Sequence, residues 1–334
     1  MSEQTSRAKK EFSWAEIPRP IVVVGATAVG KTAVALTLAQ QIGAEIVNAD
    51  SMQVYHGMDV GTAKPTPEER AQVPFHLLDV VTPDVQFTVS EWKVQAERAI
   101  FEISARGKRA IICGGTGLYI RALLDDWTLA ETPANPAIRQ RLERENAEQG
   151  SVALHTRLSE ADPITAARLH PNDAVRIIRA LEVFETTGTP ISVYQAENKR
   201  NAQPRNAIRI GLTLPREQLY ARINERVDAM LAAGLENEVR GLLAAGYAPS
   251  LSPMQSLGYK ELCSYLNGER DADATAESIK QNTRRYSKRQ MTWFRADPLL
   301  QWLDVANLTS AEAADAIRQQ DAIFHFPETL REEQ

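Results

Sequence analysis

The chain has 334 residues, 43% hydrophobic and 24% charged, with a net charge of -5 at pH 7. That mixture describes a folded globular chain of one large domain or two medium ones, and excludes a disordered or low-complexity one. No apolar run approaches the roughly 18 residues that a membrane span requires, and two cysteines, Cys113 and Cys263, make neither a disulfide framework nor a zinc site.

Residues 1–18 mix Arg7, Lys9 and Lys10 with Glu3, Glu11 and Glu16 and have no apolar signal core, so a disordered tail and a cytoplasmic location are expected. The histidines, His56, His76, His155, His170 and His325, are scattered, and none forms a short-spaced ligand pair. Residues 21–24 are a β-branched apolar run that stops at Gly25, the pattern of a strand buried in a parallel sheet. The loop Gly25-Ala26-Thr27-Ala28-Val29-Gly30-Lys31-Thr32 follows, and residues 33–41 then read as a helix. The two glycines let the backbone curl so that successive N–H groups point inward. The helix adds its free N–H groups and positive end. Lys31 brings a positive charge to a terminal phosphate, and Thr32 brings a hydroxyl able to ligate Mg²⁺. The motif argues for polyphosphate binding; neither hydrolysis nor a nucleotide ligand follows from it.

Residues 44–48 form a second short strand, followed by Asp50-Ser51-Met52-Gln53-Val54-Tyr55. Ligands of an open parallel sheet gather at the carboxyl ends of its strands, which puts Asp50 near the phosphate loop if the two strands are neighbours. Three readings of Asp50 stay open: a general base, a carboxylate holding Mg²⁺ through water, or the cap of a helix starting near Ser51. Residues 59–65 are a polar, glycine-broken loop, either a lid, a ligand loop or a solvated connection, and Asp79 and Asp84 lie in another such stretch. Residues 109–113 read as a further buried strand running into Gly114-Gly115-Thr116-Gly117-Leu118-Tyr119, whose glycines permit close approach. Cys113 stands where an ATPase would carry a magnesium-binding aspartate, and reads as packing rather than catalysis.

From residue 124 the composition turns helical and charged. Helices are expected at 135–149, 151–159, 163–170 and 173–186, punctuated by Pro133, Pro136, Pro163, Pro171 and Pro190. Arg139, Arg141, Arg144, Arg168, Arg176 and Arg179 serve either a solvated face or an RNA contact. Residues 207–214 return to strand and 215–233 to helix. On that helix Arg222 and Arg226 share a face suited to clamping a diphosphate, while Glu225 and Asp228 offer an ordinary ion-pair reading. A polar loop at 255–261 precedes a helix expected at 275–293. From Ala276 to Arg295 the chain carries Lys280, Arg284, Arg285, Lys288, Arg289 and Arg295 against Glu277 alone, a local charge of +5, with Tyr286, Trp293 and Phe294 interleaved. A stripe that contacts phosphates and a merely solvated basic face both fit this pattern.

The fold class expected is α/β, a P-loop NTPase-like parallel sheet flanked by helices, with a small all-helical insertion domain. The divisions are a tail at 1–18, a core at 19–123, the insertion at 124–200, the returning core at 201–315 and a C-terminal tail at 316–334.

The phosphate loop, the stretch 50–55, the stretch 114–119, Gln255-Ser256-Leu257-Gly258-Tyr259-Lys260-Glu261 and the basic run from Gln281 to Arg295 occur in an order that resembles the tRNA dimethylallyltransferases, the isopentenyl-tRNA (IPP) transferase family. The likeness runs from about residue 20 to 300. Ala26 stands where many relatives have proline, and Pro74-Phe75-His76 is poorer in histidine than the common form. The zinc-finger extension of eukaryotic relatives is absent, which points to a bacterial type.

The resemblance implies transfer of a dimethylallyl group from dimethylallyl diphosphate to N6 of adenosine 37 in the tRNA anticodon loop, with release of diphosphate. It implies a catalytic set of Asp50, Lys31, Thr32 and Arg222. Gly25 through Thr32, with Arg222, would cradle the diphosphate; Thr32 would ligate the Mg²⁺ cofactor, and Asp50 would be the general base. Contacts with the tRNA anticodon stem-loop would come from Asp50, Ser51, Met52, Gln53, Gln255, Gly258, Lys260, Gln281, Arg284, Arg285, Lys288, Arg289 and Gln290, and from the helical insertion. A monomer without a membrane partner is expected. Two rivals fit less of the chain. A small-molecule or nucleotide kinase has no use for the basic run, and a non-catalytic RNA-binding module has none for Lys31, Thr32 and Asp50 together.

Overall fold

The computed structural model describes residues 14–127 and 135–324. The expected N-terminal tail lies outside the described residues up to residue 13, as do residues 128–134, with Pro133, and 325–334, with His325.

The chain runs through β1 (Ile21–Gly25), α1 (Lys31–Ile42), β2 (Glu45–Asn48), α2 (Pro67–Gln72), β3 (Phe75–His76), α3 (Val89–Ala105), β4 (Ala110–Gly114) and α4 (Gly117–Leu124). Five helices follow: α5 (Pro136–Gln149), α6 (Ser151–Ala161), α7 (Pro163–Ala166), α8 (Ala174–Thr187) and α9 (Ile191–Asn201). It then returns through β5 (Ile208–Thr213), α10 (Arg216–Ala232), α11 (Leu235–Ala244), α12 (Tyr259–Leu266), α13 (Ala272–Arg295), β6 (Gln301–Asp304) and α14 (Ser310–Phe324). No helix among the described residues is long and apolar enough to cross a membrane.

The strands form one six-stranded sheet in the order β3-β2-β4-β1-β5-β6, and every pairing is parallel. β1 is central because it is apolar on both faces: Ile21, Val22, Val23 and Val24 are all fully buried. Ile21 and Val23 pack with Ile111, Ile208 and Ile210 against Val34 and Leu38 of α1 and Ala313, Ala314 and Ile317 of α14. Burial of each such aliphatic side chain contributes about 1.5–3 kcal/mol. β1 and β2 are not neighbours, since β4 lies between them in register with both (Val24 opposite Gly114, Asn48 opposite Cys113). Two strand spacings are only about 10 Å, so the segments after β1 and β2 still meet at the same end of the sheet.

Nine elements fall where none is expected from the sequence pattern: the strands β3 and β6 and the helices α2, α3, α4, α9, α11, α12 and α14. The edge strands β3 and β6 are too short to show a period. The helices α3 and α14 each open on a capping box, Thr88 with Glu91 and Thr309 with Glu312. The tail expected from residue 316 begins inside α14, which is seated on α1 by Ala313, Ala314 and Ile317; residues 316–324 therefore continue the helical layer. The helix expected at 163–170 stops at Ala166.

The chain divides into two compact units, residues 1–123 with 205–334, and residues 124–204. The second comprises α5–α9 around Leu142, Leu154, Leu158, Ile177 and Leu181. Its arginines answer its own acids: Arg139 and Arg179 bind the buried Glu182, Arg141 and Arg157 bind Glu185, and Arg176 binds Asp173.

Candidate active site

At the carboxyl ends of β1, β2 and β4 the first unit encloses a cavity of about 760 Å³. The phosphate loop supplies Thr27, Ala28, Gly30, Lys31 and Thr32 to its wall, while Gly25, Ala26 and Val29 are buried behind the loop. A Cβ on Gly25 would lie 2.6 Å from the Leu212 carbonyl oxygen, so only glycine lets the loop leave β1 this close to β5. Gly30 caps α1 at φ 101°, which aims the first turn of the helix at the cavity.

Lys31 is folded back onto the loop: its Nζ donates to the carbonyl oxygens of Gly25 (3.1 Å) and Ala26 (2.7 Å). Burial, helped by the nearby Arg226 and opposed by Cys113 and Asp50, lowers its pKa to about 8. Arg226, on α10, also lines the cavity, and burial lowers its pKa too, partly countered by Asp50. Neither cation has an ion-pair partner among the described residues. Two partly buried cations, with no ion pair among the described residues and the single Asp50 carboxylate as their shared opposing charge, mark a place for an anion. Burial pushes the Cys113 thiol up to about 12, so it is a packing group at neutral pH and no nucleophile.

Arg222 does not line the cavity. The α10 residues that line the cavity are Ile223, Arg226, Val227 and Met230, an i, i+3, i+4, i+7 stripe that includes Arg226 and leaves Arg222 outside it. The diphosphate role expected of Arg222 therefore has its geometric support at Arg226.

Asp50 is held by its neighbours. Its N–H donates to Asn48 Oδ1 (3.1 Å), its carbonyl accepts from Asn48 Nδ2 (3.2 Å), and its Oδ1 accepts from the Met52 N–H (2.9 Å). The second carboxylate oxygen has no partner among the described residues. No helix begins at Ser51, so the cap reading reduces to this single turn. The Ser51 N–H donates to Thr116 Oγ1 (2.9 Å), which ties the segment to the glycine-rich turn after β4.

Several residues expected at RNA are engaged inside the first unit. Gln290 is buried, with Oε1 accepting from the Thr27 N–H (2.8 Å) and Nε2 donating to the Gly115 carbonyl (3.0 Å). Its amide braces the phosphate loop against the turn after β4, and a Cβ on Gly115 would come within 2.3 Å of that nitrogen. Gln53 is buried and donates to the carbonyls of Thr62 and Ala63. Arg284 is bound by Asn224 (2.6 Å) and Glu277 (2.9 Å), and Lys280 by Asp228 (2.6 Å). Each of these side chains thus has protein partners, and Gln53 and Gln290 also line the cavity. Arg285, Lys288, Arg289 and Gln281 are exposed on α13; Arg289, its guanidinium 5.6 Å from the Tyr286 ring centre, also lines the mouth of the cavity with Tyr286. Gln255, Gly258 and Lys260 line the cavity along with Ser51, Met52 and Gln53. An apolar side of the cavity is built by Ile223, Val227, Met230, Leu235 and Ile279.

The cavity thus joins a phosphate loop, the cations Lys31, Arg226 and Arg289 without an ion pair among the described residues, a half-free carboxylate and an apolar wall. Comparisons with known proteins are consistent with one another. A family model described as IPP transferase matches residues 53–297, and one described as isopentenyl transferase matches residues 19–82. The chain is 53% identical over 289 residues to the tRNA dimethylallyltransferase of Geobacter metallireducens, covering 86% of this chain and 93% of the relative. The enzyme of that name from Geobacter sulfurreducens is 52% identical over 285 residues. Among solved structures, the full-length tRNA isopentenylpyrophosphate transferase of Bacillus halodurans superposes with a TM-score of 0.66 at 38% identity, covering 92% of this chain and 99% of that one. A eukaryotic dimethylallyltransferase crystallised acting on tRNA gives a TM-score of 0.71 at 27% identity, covering 91% of this chain and 77% of that one.

Proposed function

The chain belongs to the IPP transferase family, and we propose that it transfers a dimethylallyl group from dimethylallyl diphosphate to N6 of adenosine 37 in the tRNA anticodon loop. The observation that carries the reading is the gathering of Lys31 and Arg226, neither in an ion pair among the described residues, with Asp50 in one cavity.

The diphosphate sits on the loop N–H groups, and Lys31 exchanges two neutral carbonyls for phosphate oxygens. Lys31 and Arg226 stabilise the charge that grows on the diphosphate as the C1–O bond breaks. The N6 lone pair, weakened by delocalisation into the ring, forms the new C–N bond. Asp50 orients the amine and takes its proton, so that N6-dimethylallyladenosine and diphosphate are the products. Ile223, Val227 and Met230 hold the five-carbon chain away from water. The adenine leaves its stack to reach this centre, which in a single-stranded loop costs only a few kcal/mol.

Mg²⁺ fits the oxygen donors present. The Thr32 hydroxyl lies at the start of α1 in the cavity wall, and no cluster of three His, Cys, Asp or Glu among the described residues forms a metal cage. An ion held through one hydroxyl, phosphate oxygens and water suits the preference of Mg²⁺, and it would supply further neutralisation of the leaving diphosphate.

Arg285, Lys288 and Arg289 meet the phosphates of the stem-loop, and the unit of α5–α9 is a second RNA-facing part. The protein acts as a monomer in the cytoplasm, where its tRNA substrate is. The test incubates the chain with unmodified tRNA, Mg²⁺ and labelled dimethylallyl diphosphate, beside a tube with labelled ATP. Label on adenine N6 is the expected result. No transfer to any of several tRNAs, with ATP consumed on a small acceptor, overturns the reading.

A further inference from the structure

Resting on that reading of the cavity, we infer that Glu238 is a positioning residue that sets one cavity wall by binding the backbone of the 59–64 loop. Glu238 itself does not line the cavity, whereas Gly61, Thr62, Ala63 and Lys64 do. Its carboxylate accepts four hydrogen bonds. Oε2 takes the N–H groups of Asp59 (2.8 Å) and Val60 (2.7 Å), and Oε1 takes the Gly61 N–H (3.1 Å) and the Tyr259 hydroxyl (2.6 Å). Consecutive N–H groups converging on one point form an anion-binding concavity, and here the anion is the protein's own.

Charge-assisted bonds of this kind are about twice as strong as neutral ones. The loop has no helix or strand of its own, so its backbone groups depend on such partners. Gly61 seats directly on the Tyr259 ring, where a Cβ would come within 2.5 Å of the ring edge. Tyr259 is fully buried, and burial together with Glu238 raises its pKa, which keeps the phenol a donor. The loop's carbonyls are held as well, those of Thr62 and Ala63 by Gln53 Nε2 (3.1 and 3.3 Å). Its far end is pinned by the buried Lys64, whose Nζ reaches the Tyr55 carbonyl (2.7 Å), Asp59 (2.6 Å) and Asp79 (2.6 Å). Glu238 projects from α11, which is anchored by Leu235, Val239 and Leu242 in a core shared with Tyr259. The latch thus has a rigid base, and the wall it fixes adjoins the segment that carries Asp50. A wall displaced by about 1 Å can cost up to about 100-fold in rate.

The experiment compares wild type with Glu238→Ala and Glu238→Gln in the full chain. Hydrogen exchange at residues 59–61, turnover on tRNA, and calorimetric binding of magnesium pyrophosphate are measured together. For Glu238→Ala the expectation is exchange at least about tenfold faster and kcat lower by about ten- to a hundredfold, with pyrophosphate affinity within about twofold because the phosphate loop is not part of the latch. Glu238→Gln, which keeps one acceptor oxygen, falls between the two. Unchanged exchange overturns the latch, and rapid exchange with wild-type kcat overturns the positioning role. Equal loss of pyrophosphate affinity and turnover assigns Glu238 a general structural role and also overturns the inference. Should Glu238→Ala not fold, the same three measurements on Glu238→Gln support or overturn the latch in the same way. Failure of the wild-type chain to transfer strikes the proposed reaction instead, and the exchange result then decides the latch by itself.

Discussion

The two ends of the β-sheet treat charge in opposite ways. At the amino ends, Glu45 opens β2 almost wholly buried and is answered by His76 (2.7 Å), Arg106 (2.6 Å) and Lys108 (3.0 Å), while Arg109 is paired with Asp321. Burial alone would raise the Glu45 pKa, but the hydrogen bonds from Arg106, His76 and Lys108 outweigh it and hold the group at about 2. At the carboxyl ends, Lys31 rests on two neutral carbonyls and Arg226 has no ion-pair partner among the described residues. Burying a charge without its counter-charge destabilises a fold. The arrangement persists at the end where a ligand can bring the missing charge, and is absent where stability alone is at stake.

That contrast is easiest to break at Asp50. Asp50→Ala should lower turnover by about 10²- to 10⁴-fold with tRNA binding retained, measured as steady-state rates and RNA binding on one preparation. Near-normal turnover would remove Asp50 from the role of base. On α13 the contrast recurs between exposed and engaged cations. Arg289→Glu should weaken tRNA binding by about tenfold at low salt, an effect that shrinks as salt rises. Arg284→Gln, whose guanidinium is already held by Asn224 and Glu277, should change binding by less than about twofold in the same titration. Equal effects would show that the internal partners of Arg284 yield to RNA.

The two ends also predict opposite pH responses. Diphosphate favours protonated Lys31, so affinity for magnesium pyrophosphate should decline as pH rises through about 8. A flat profile between pH 7 and 9 would separate Lys31 from the ligand. Glu45 has a depressed pKa in the fold, so its stabilisation is present above the ordinary value of 4.5 and is lost as pH falls from there to about 2. Glu45→Gln should therefore reduce stability at pH 7 by about 2 kcal/mol and leave kcat unchanged. Denaturant melts at pH 7 and pH 3 test this, since the difference between variant and wild type should narrow at the lower pH.

Much of this was legible in the sequence because local pattern and local chemistry coincide. The strand, loop and helix around Gly25–Thr32 follow from consecutive residues, and α13 runs only three residues earlier and two later than its periodicity indicates. What escaped depends on depth and distance. Arg222 and Arg226 are four apart, and only Arg226 belongs to the stripe of Ile223, Val227 and Met230 that faces the cavity. The bonds donated by the Thr27 N–H to Gln290 and by the Asp59 N–H to Glu238 span 263 and 179 residues, and no local signal announces them. The capping boxes at Thr88 and Thr309 were a readable signal for α3 and α14. The edge strands β3 and β6 had none, because two to four residues cannot display a period.

The most direct test of the account is calorimetric titration of magnesium pyrophosphate into the wild type, Arg226→Ala and Arg222→Ala. The unanswered cation at the cavity predicts affinity lower by at least about tenfold for Arg226→Ala, a loss of about 1.4 kcal/mol or more, and within about twofold of wild type for Arg222→Ala. The reverse order would contradict the claim that the carboxyl end of the sheet keeps its charge unpaired for a diphosphate.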